Sequence, residues 1–205
     1  MAEKIKLNKN SLRDQNQSLK LYLEFLPTLE LRKQQLQSEV ATAQKDLDRA
    51  AARKEALLDD AREWKDRLST VLPMVRDLLK VDMVSVHTAN VAGVRVPVFD
   101  RVLFNRGSYS LAATPWILDA AMTFFEKAIG AREQMRVLQE KHALLARELV
   151  KTTQRINLYE KVLIPQTREN IRKIKVYLGD QQTAAVCRAK IAKNKIVTKA
   201  AGGES

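Results

Sequence analysis

The feature that most constrains this chain is a seven-residue repeat of apolar side chains in its first eighty residues. Apolar residues occupy every seventh position from Leu29 to Leu78. An interleaved register runs from Leu12 to Val75 and is apolar except at Lys33 and Lys54. Apolar spacings of three and four, sustained over seven heptads, indicate a coiled-coil seam, and a period of 3.5 residues predicts a left-handed supercoil.

The same rhythm returns in the second half of the chain. Between Ile117 and Leu163 the 4-3 spacing continues, with polar residues only at His142 and Thr152. The simplest way to bury both apolar stripes is to pack the two arms against each other. The predicted fold class is therefore all-α: a long antiparallel two-helix left-handed coiled coil, with a small β-hairpin at the turn between the helices. Trp64 occupies a seam register and is expected in the core, whereas Trp116 could be a core or a contact residue.

Three prolines lie inside the predicted helical arms. Pro27 and Pro73 fall where the heptads continue, so we expect kinks or curvature there and not helix ends. Beyond Pro165 the seam moves to Ile171, Ile174 and Leu178, which predicts a change of register.

Residues 81–113 have a different pattern. Val84 and Val86 alternate with polar residues, as do Val94 and Val96, and Gly93 lies between the two runs. This is typical of a β-hairpin with a short loop. Pro97 confines its strand to an edge, and Thr114 and Pro115 are expected as cap and first residue of the second helix.

The predicted organisation is a single elongated domain over residues 1–205. It comprises an N-terminal helical arm (1–80), the hairpin and loop segment (81–113), a C-terminal helical arm (114–196) and a disordered tail (197–205). The antiparallel return places both termini at one end and the hairpin at the other. At about 1.5 Å per residue, each arm would be on the order of 100 Å long.

Positive charge is concentrated at the two ends of the chain. The net charge is +12, and residues 1–20 carry five cations against two carboxylates, while residues 166–199 carry nine against two. An acidic partner or a polyanion would therefore meet the termini. A basic coiled-coil nucleic-acid-binding protein is the alternative function, although Tyr177 is almost the only aromatic residue available there for base stacking.

Several classes of function lack their usual signals. The chain has no phosphate-binding glycine motif, no paired metal ligands near His142, one cysteine, no signal peptide and no apolar run of the roughly 18 residues that span a membrane. The sequence thus predicts a non-catalytic protein of a reducing compartment, with no cofactor and no metal.

Two segments resemble the D subunit of the V-type (A/V-type) rotary ATPases, in particular the bacterial branch. They are "LPTLELRKQQLQ" at 26–37 and "NLYEKVLIPQTRENIRKIKVYLGDQQTAAVCRAKIAK" at 157–193. The resemblance implies a central-stalk rotor shaft in the soluble, cytoplasmic sector of a membrane ATPase, which transmits torque without binding nucleotide, nucleic acid or membrane. It also implies four partners: the catalytic A and regulatory B subunits of the hexameric head, the small F subunit of the stalk, and a stalk subunit that caps the membrane ring.

These expectations assign two sets of contact residues. The bearing against the head is Lys6, Lys9, Arg13, Ile164, Pro165, Arg168, Arg172, Lys173, Lys175, Gln181 and Gln182. The contact with the lower stalk is Val84, Val86, Val94 and Val96.

Overall fold

The computed structural model describes residues 6–110 and 114–201. Along the chain they form helix α1 (Lys9–Leu78), strands β1 (Leu79–Val91) and β2 (Val94–Arg106), helix α2 (Leu118–Leu158), a π-helical turn (Tyr159–Leu163) and helix α3 (Ile164–Ala201). The predicted fold class, long helices with one small antiparallel hairpin, is confirmed. The first residues of the predicted tail, 197–201, are helical, and residues 202–205 lie outside the described part.

The chain divides into two compact units. We call Met1–Leu31 with Thr153–Ser205 the terminal unit, and Arg32–Thr152 the central unit. In the terminal unit the beginning of α1 lies beside the π-helical turn and α3. The Nδ2 of Asn170 donates to Oε1 of Gln15 at 3.4 Å, and the rings of Tyr22 and Tyr159 lie 5.3 Å apart. The pairing is antiparallel, so the two basic ends of the sequence belong to one compact body.

Helix α1 begins at a polar cap and continues through its prolines. The side-chain oxygen of Asn8 accepts a hydrogen bond from the N–H of Ser11 at 2.7 Å, which satisfies one of the free N–H groups of the first turn. Neither Pro27 nor Pro73 ends the helix. The heptad pattern was therefore the correct guide to helix continuity at both positions.

The predicted change of register is produced by the π-helical turn. The seam residues Ile156 and Ile164 are both buried, and they are eight positions apart where a heptad would give seven. The N–H of Ile164 bonds to the carbonyl of Tyr159 in the i→i+5 pattern of a π-helix. Such a turn accommodates one additional residue, and it directly precedes Pro165, whose ring would clash with the carbonyl four residues earlier in a regular α-helix.

The central unit has two separate buried clusters. The first joins α1 to the start of α2 and includes Val71, Val75, Leu118 and Met122. The second comprises Leu36, Ala43 and Leu145 from the helices with Val94 and Val96 from the hairpin.

Between these clusters the helices are loosely packed. Among the described side chains, α1 has no buried one from 51 to 70, and α2 has none from 123 to 136. We call these two stretches the open segment. The expectation that Trp64 lies in the core is wrong, because 40% of its surface is exposed there.

The hairpin is longer than predicted, and it lies along the helices of the central unit. The two strands of 13 residues are joined by a two-residue turn, Ala92 at φ 49° and Gly93 at φ 78°. Positive φ at both positions is characteristic of a type I′ turn, whose twist matches that of the strands. The base of the hairpin packs at Leu79 in the first cluster and its tip in the second. The hairpin therefore packs against the helices of the central unit as well as joining them.

Helix α2 starts later than predicted. Its first residue is Leu118, and the N–H of Leu118 bonds to the carbonyl of Pro115 in a turn before the helix. The hydroxyl of Thr114 donates backwards to the carbonyl of Ser110 at 2.9 Å. Thr114 therefore stabilises the preceding loop and does not cap the helix.

Candidate interaction surfaces

The last part of α3 is a helix that no other segment of the described chain covers. Every described side chain from Gly179 to Ile196 is exposed. Large apolar residues are included, since Val186 is 63% exposed and Ile196 69%. Helices in proteins draw most of their stability from packing an apolar face against other elements. The exposed apolar and cationic side chains therefore indicate a surface that another protein covers.

The residues assigned to the head contact lie in the terminal unit, and all but one are on its surface. Because Gln15 faces Asn170 in an antiparallel pair, Arg13 and Arg172 lie at about the same level. Lys173 forms an ion pair of 2.9 Å with Glu169, and this hydrogen bond lowers the pKa of the Glu169 carboxyl. The exposed members of the set are Lys6, Lys9, Arg13, Pro165, Arg168, Arg172, Lys173, Lys175, Gln181 and Gln182.

Ile164 is the exception. It is 8% exposed and belongs to the buried seam, so its side chain is a packing residue and is not on the surface that the prediction assigned to it.

The four hairpin valines divide into two pairs. Val94 and Val96 are 8% and 0% exposed in the second cluster of the central unit. They pack against the chain's own helices and cannot serve as contacts for a partner in this conformation. Val84 is partly exposed and Val86 is 41% exposed. The predicted contact with another subunit therefore stays a prediction for these two residues alone.

An ionic network fixes the base of the hairpin to α2. Arg106 donates from Nε and Nη2 to the two oxygens of Glu126 at 2.7 and 2.8 Å. The hydroxyl of Tyr109 donates to Asp119 at 3.0 Å. The hydrogen bonds from Arg106 lower the pKa of the Glu126 carboxyl. Among partly exposed ion pairs, a bidentate arginine–carboxylate pair contributes most to the stability of the fold.

On one side of the open segment lies an apolar groove of about 590 Å³. Its floor is apolar, and three cations, Lys54, Lys65 and Arg132, stand at its edge without an ion pair among the described residues. The apolar lining is Leu57, Leu58, Ala61, Leu68, Leu72, Phe124, Phe125, Ala128 and Ala131. We call this surface the basic groove. This groove was not predicted from the sequence. Two features of the sequence could have indicated it: a cation, Lys54, at a seam position of α1, and the small residues Ala128 and Ala131 in the seam of α2.

The described residues contain no group of three or more potential metal ligands. No described helix is long and apolar enough to cross a membrane. His142 is half-buried in α2.

The structure is typical of a protein that works through contacts with other proteins. It combines paired helices, an uncovered basic helix end and an open apolar groove. The family model for the ATP synthase D subunit matches residues 11–194. The V-type ATP synthase D subunit of Borreliella burgdorferi is 37% identical over 196 residues, which cover 96% of each chain. The V-type ATP synthase D subunit of Chlamydia muridarum is 35% identical over 198 residues, covering 96% of this chain and 98% of the relative. The chain belongs to the family of ATP synthase D subunits.

Proposed function

We propose that this chain is the central-stalk rotor subunit of a V-type rotary ATPase and transmits torque between the ATP-hydrolysing or ATP-synthesising head and the ion-translocating membrane ring. The observation that carries the proposal is the terminal unit, in which both basic ends of the sequence meet and α3 continues as an uncovered helix. Such a structure suits insertion into a ring of other subunits. The chain itself has no catalytic role in this scheme and binds no nucleotide.

The head partners would be the catalytic A and regulatory B subunits. Arg168, Arg172 and Lys175 are exposed and form no ion pair with other described side chains, so they are available to acidic residues of the head. Long-range attraction holds a shaft in place without favouring one orientation strongly. Gln181 and Gln182 are uncharged and exposed, which suits a surface that must slide.

The basic groove is the proposed seat of the small F subunit of the stalk. An amphipathic helix would bury its apolar face on Leu58 and Leu72, which are 52% and 47% exposed, and would set acidic side chains against Lys54 and Lys65. The groove extends over residues 54–72 of α1, a length of about 27 Å at 1.5 Å per residue. Val84 and Val86 remain the proposed contact with the ring-capping subunit.

The rotor role is tested by reconstituting the A and B head with and without this chain and recording bead rotation together with ATP hydrolysis. The double variant Arg168→Glu, Arg172→Glu should lower head affinity about tenfold or more and uncouple hydrolysis from rotation. The matched control is Arg67→Glu, Arg76→Glu, which reverses two exposed cations of the central unit. Unchanged torque and affinity in the first variant contradict the proposed bearing.

The groove is tested by copurification with the small F subunit. Leu58→Asp and Leu72→Asp should abolish binding because each sets a carboxylate on an apolar floor. Val150→Asp is the control, since Val150 is 55% exposed on α2 outside the groove. Equal binding by all three variants would place the small F subunit elsewhere.

A further inference from the structure

The open segment carries a second surface, which adjoins the basic groove and shares Leu57, Ala61, Leu68 and Phe124 with it. The two surfaces differ in chemistry. The lining of the second surface includes Trp64, Trp116 and Phe124 around Ala120, together with the carboxylates of Asp60 and Asp119. We call it the aromatic recess. It consists of two adjoining hollows of about 190 and 520 Å³.

The helical repeat explains why one stretch of α2 presents two surfaces. Residues 120, 123 and 127 line the recess, whereas residues 125, 128 and 132 line the basic groove. Residues three or four apart share a helix face, so the two sets point to different sides of α2. Phe124 lies between them and lines both surfaces.

Both tryptophans of the chain stand in this recess, and both are exposed. Trp116 is 80% exposed and Trp64 is 40% exposed. A tryptophan side chain carries more apolar area than any other, and at protein interfaces it is a frequent source of binding energy. Two exposed indoles, each in a hollow that Phe124 also lines, therefore indicate a contact surface.

The charges of the recess favour a cation. Asp60 forms no ion pair with any described side chain, although the neighbouring Asp59 pairs with Arg62 at 2.8 Å. Asp119 accepts a hydrogen bond from Tyr109 and lies 3.7 Å from Arg106, so it is already partly neutralised. Among the described residues, Lys127 is the one cation that lines the recess.

Asp60 is thus a carboxylate without an ion pair in the described part of the structure, beside aromatic rings in a chain of net charge +12. The faces of aromatic rings attract cations as well, most strongly those of tryptophan.

We propose that the aromatic recess receives an arginine side chain of another subunit of the ATPase assembly, one that does not occupy the basic groove. The planar guanidinium can stack on an indole ring while its N–H groups donate to the Asp60 carboxylate. Apolar side chains of the same segment would cover Phe124 and Ala120. The proposal rests on the proposed function, because it requires the chain to work inside a multi-subunit complex.

The test uses the full chain in the assembled complex. A photo-reactive benzoylphenylalanine replaces Lys127 at the rim, which leaves both tryptophans and Asp60 intact. After irradiation, mass spectrometry should identify one peptide of another subunit with an arginine within a few residues of the cross-link.

Variants in the same background separate cation recognition from plain apolar contact. Trp116→Phe keeps an aromatic face and should retain the cross-linking yield within about twofold, whereas Trp116→Leu should lower it about fivefold. Asp60→Asn should lower the yield by a similar factor, and Asp59→Asn, its matched control, should not. Loss of the cross-link in the Leu and Asn variants but not in the controls supports the proposal.

Three results overturn it: no cross-link to another subunit, a cross-linked peptide without a nearby cation, or equal yields for Trp116→Leu and Trp116→Phe. Assembly of the complex is judged in the same preparation by the recovery of the head subunits. A chain that fails to assemble contradicts the proposed function, while an assembled complex with one of these three results contradicts only the arginine site.

Discussion

Replacing Val96 by alanine measures how firmly the hairpin tip is held on the helices of the central unit. Val96 is completely buried against a cluster that includes Leu36, Ala43 and Leu145. The substitution removes two methyl groups, which is about 1.6 kcal/mol of transfer free energy at roughly 0.8 kcal/mol for each. The cavity adds to this, so the expected loss in the free energy of unfolding is about 2 kcal/mol.

Val86→Ala is the matched control on the same hairpin. Val86 is 41% exposed, so the same chemical change removes less buried area and leaves no closed cavity. Its expected cost is below about 1 kcal/mol, including the lower strand propensity of alanine that both variants share. The difference between the two variants therefore isolates the packing of the tip.

Urea denaturation of the isolated chain gives the two free energies, and amide hydrogen exchange shows where the loss occurs. If the tip opens locally, amide exchange at residues 91–96 and at Val98 should accelerate about 30-fold in Val96→Ala, the factor that corresponds to about 2 kcal/mol. Equal costs for the two substitutions, or a larger cost for Val86→Ala, would refute the conclusion that Val96 holds the tip on the helices and that the side chain of Val86 does not.

Three further predictions concern local features of the fold. Ala92→Asn should raise stability by about 0.5–1 kcal/mol in thermal unfolding, because asparagine tolerates the positive φ of this turn better than alanine does. Arg106→Met should cost about 1 kcal/mol at neutral pH. The hydrogen bonds from Arg106 lower the pKa of Glu126 in the folded state. The ion pair therefore stabilises the fold above pH 4.5, and this contribution is lost as the pH falls below that value. The free energy of unfolding measured against pH should show the loss in the native chain and not in Arg106→Met. Deletion of Glu160 restores a regular heptad but also returns Pro165 to a regular α-helix, so it should cost about 3 kcal/mol and leave the helices formed. Deletion of Glu140 should instead unfold the seam beyond it, as measured by circular dichroism.

The seam was the most predictable part of this fold, because its signal is distributed over many residues. Leu36, Ala43 and Val71 are buried where the heptads place them. The register change near Pro165 was also visible, since the apolar spacing itself changes there. Its origin in a π-helical turn was not, because one extra residue can be accommodated in several ways.

Features that depend on contacts distant in the sequence were less accessible. Val86 and Val96 stand in similar alternating patterns, yet Val96 is fully buried against the helices and Val86 is 41% exposed. The alternation alone does not show which face of each strand packs on the helices. Trp64 occupies a heptad position but is exposed. The heptad pattern shows which face of α1 turns towards α2, but it does not show how far apart the two helices lie. The basic groove and the aromatic recess both result from that separation.

The uncovered end of α3 also offers a route to measurement. Cys187 is exposed there and is the one cysteine of the chain. A maleimide dye can therefore be attached at a single defined position in the unmutated protein. The alkylation rate of the Cys187 thiol would then report whether the end of α3 is covered. Subunits bound around the helix, as in the proposed function, would slow the reaction, and dissociation of those subunits would restore the rate.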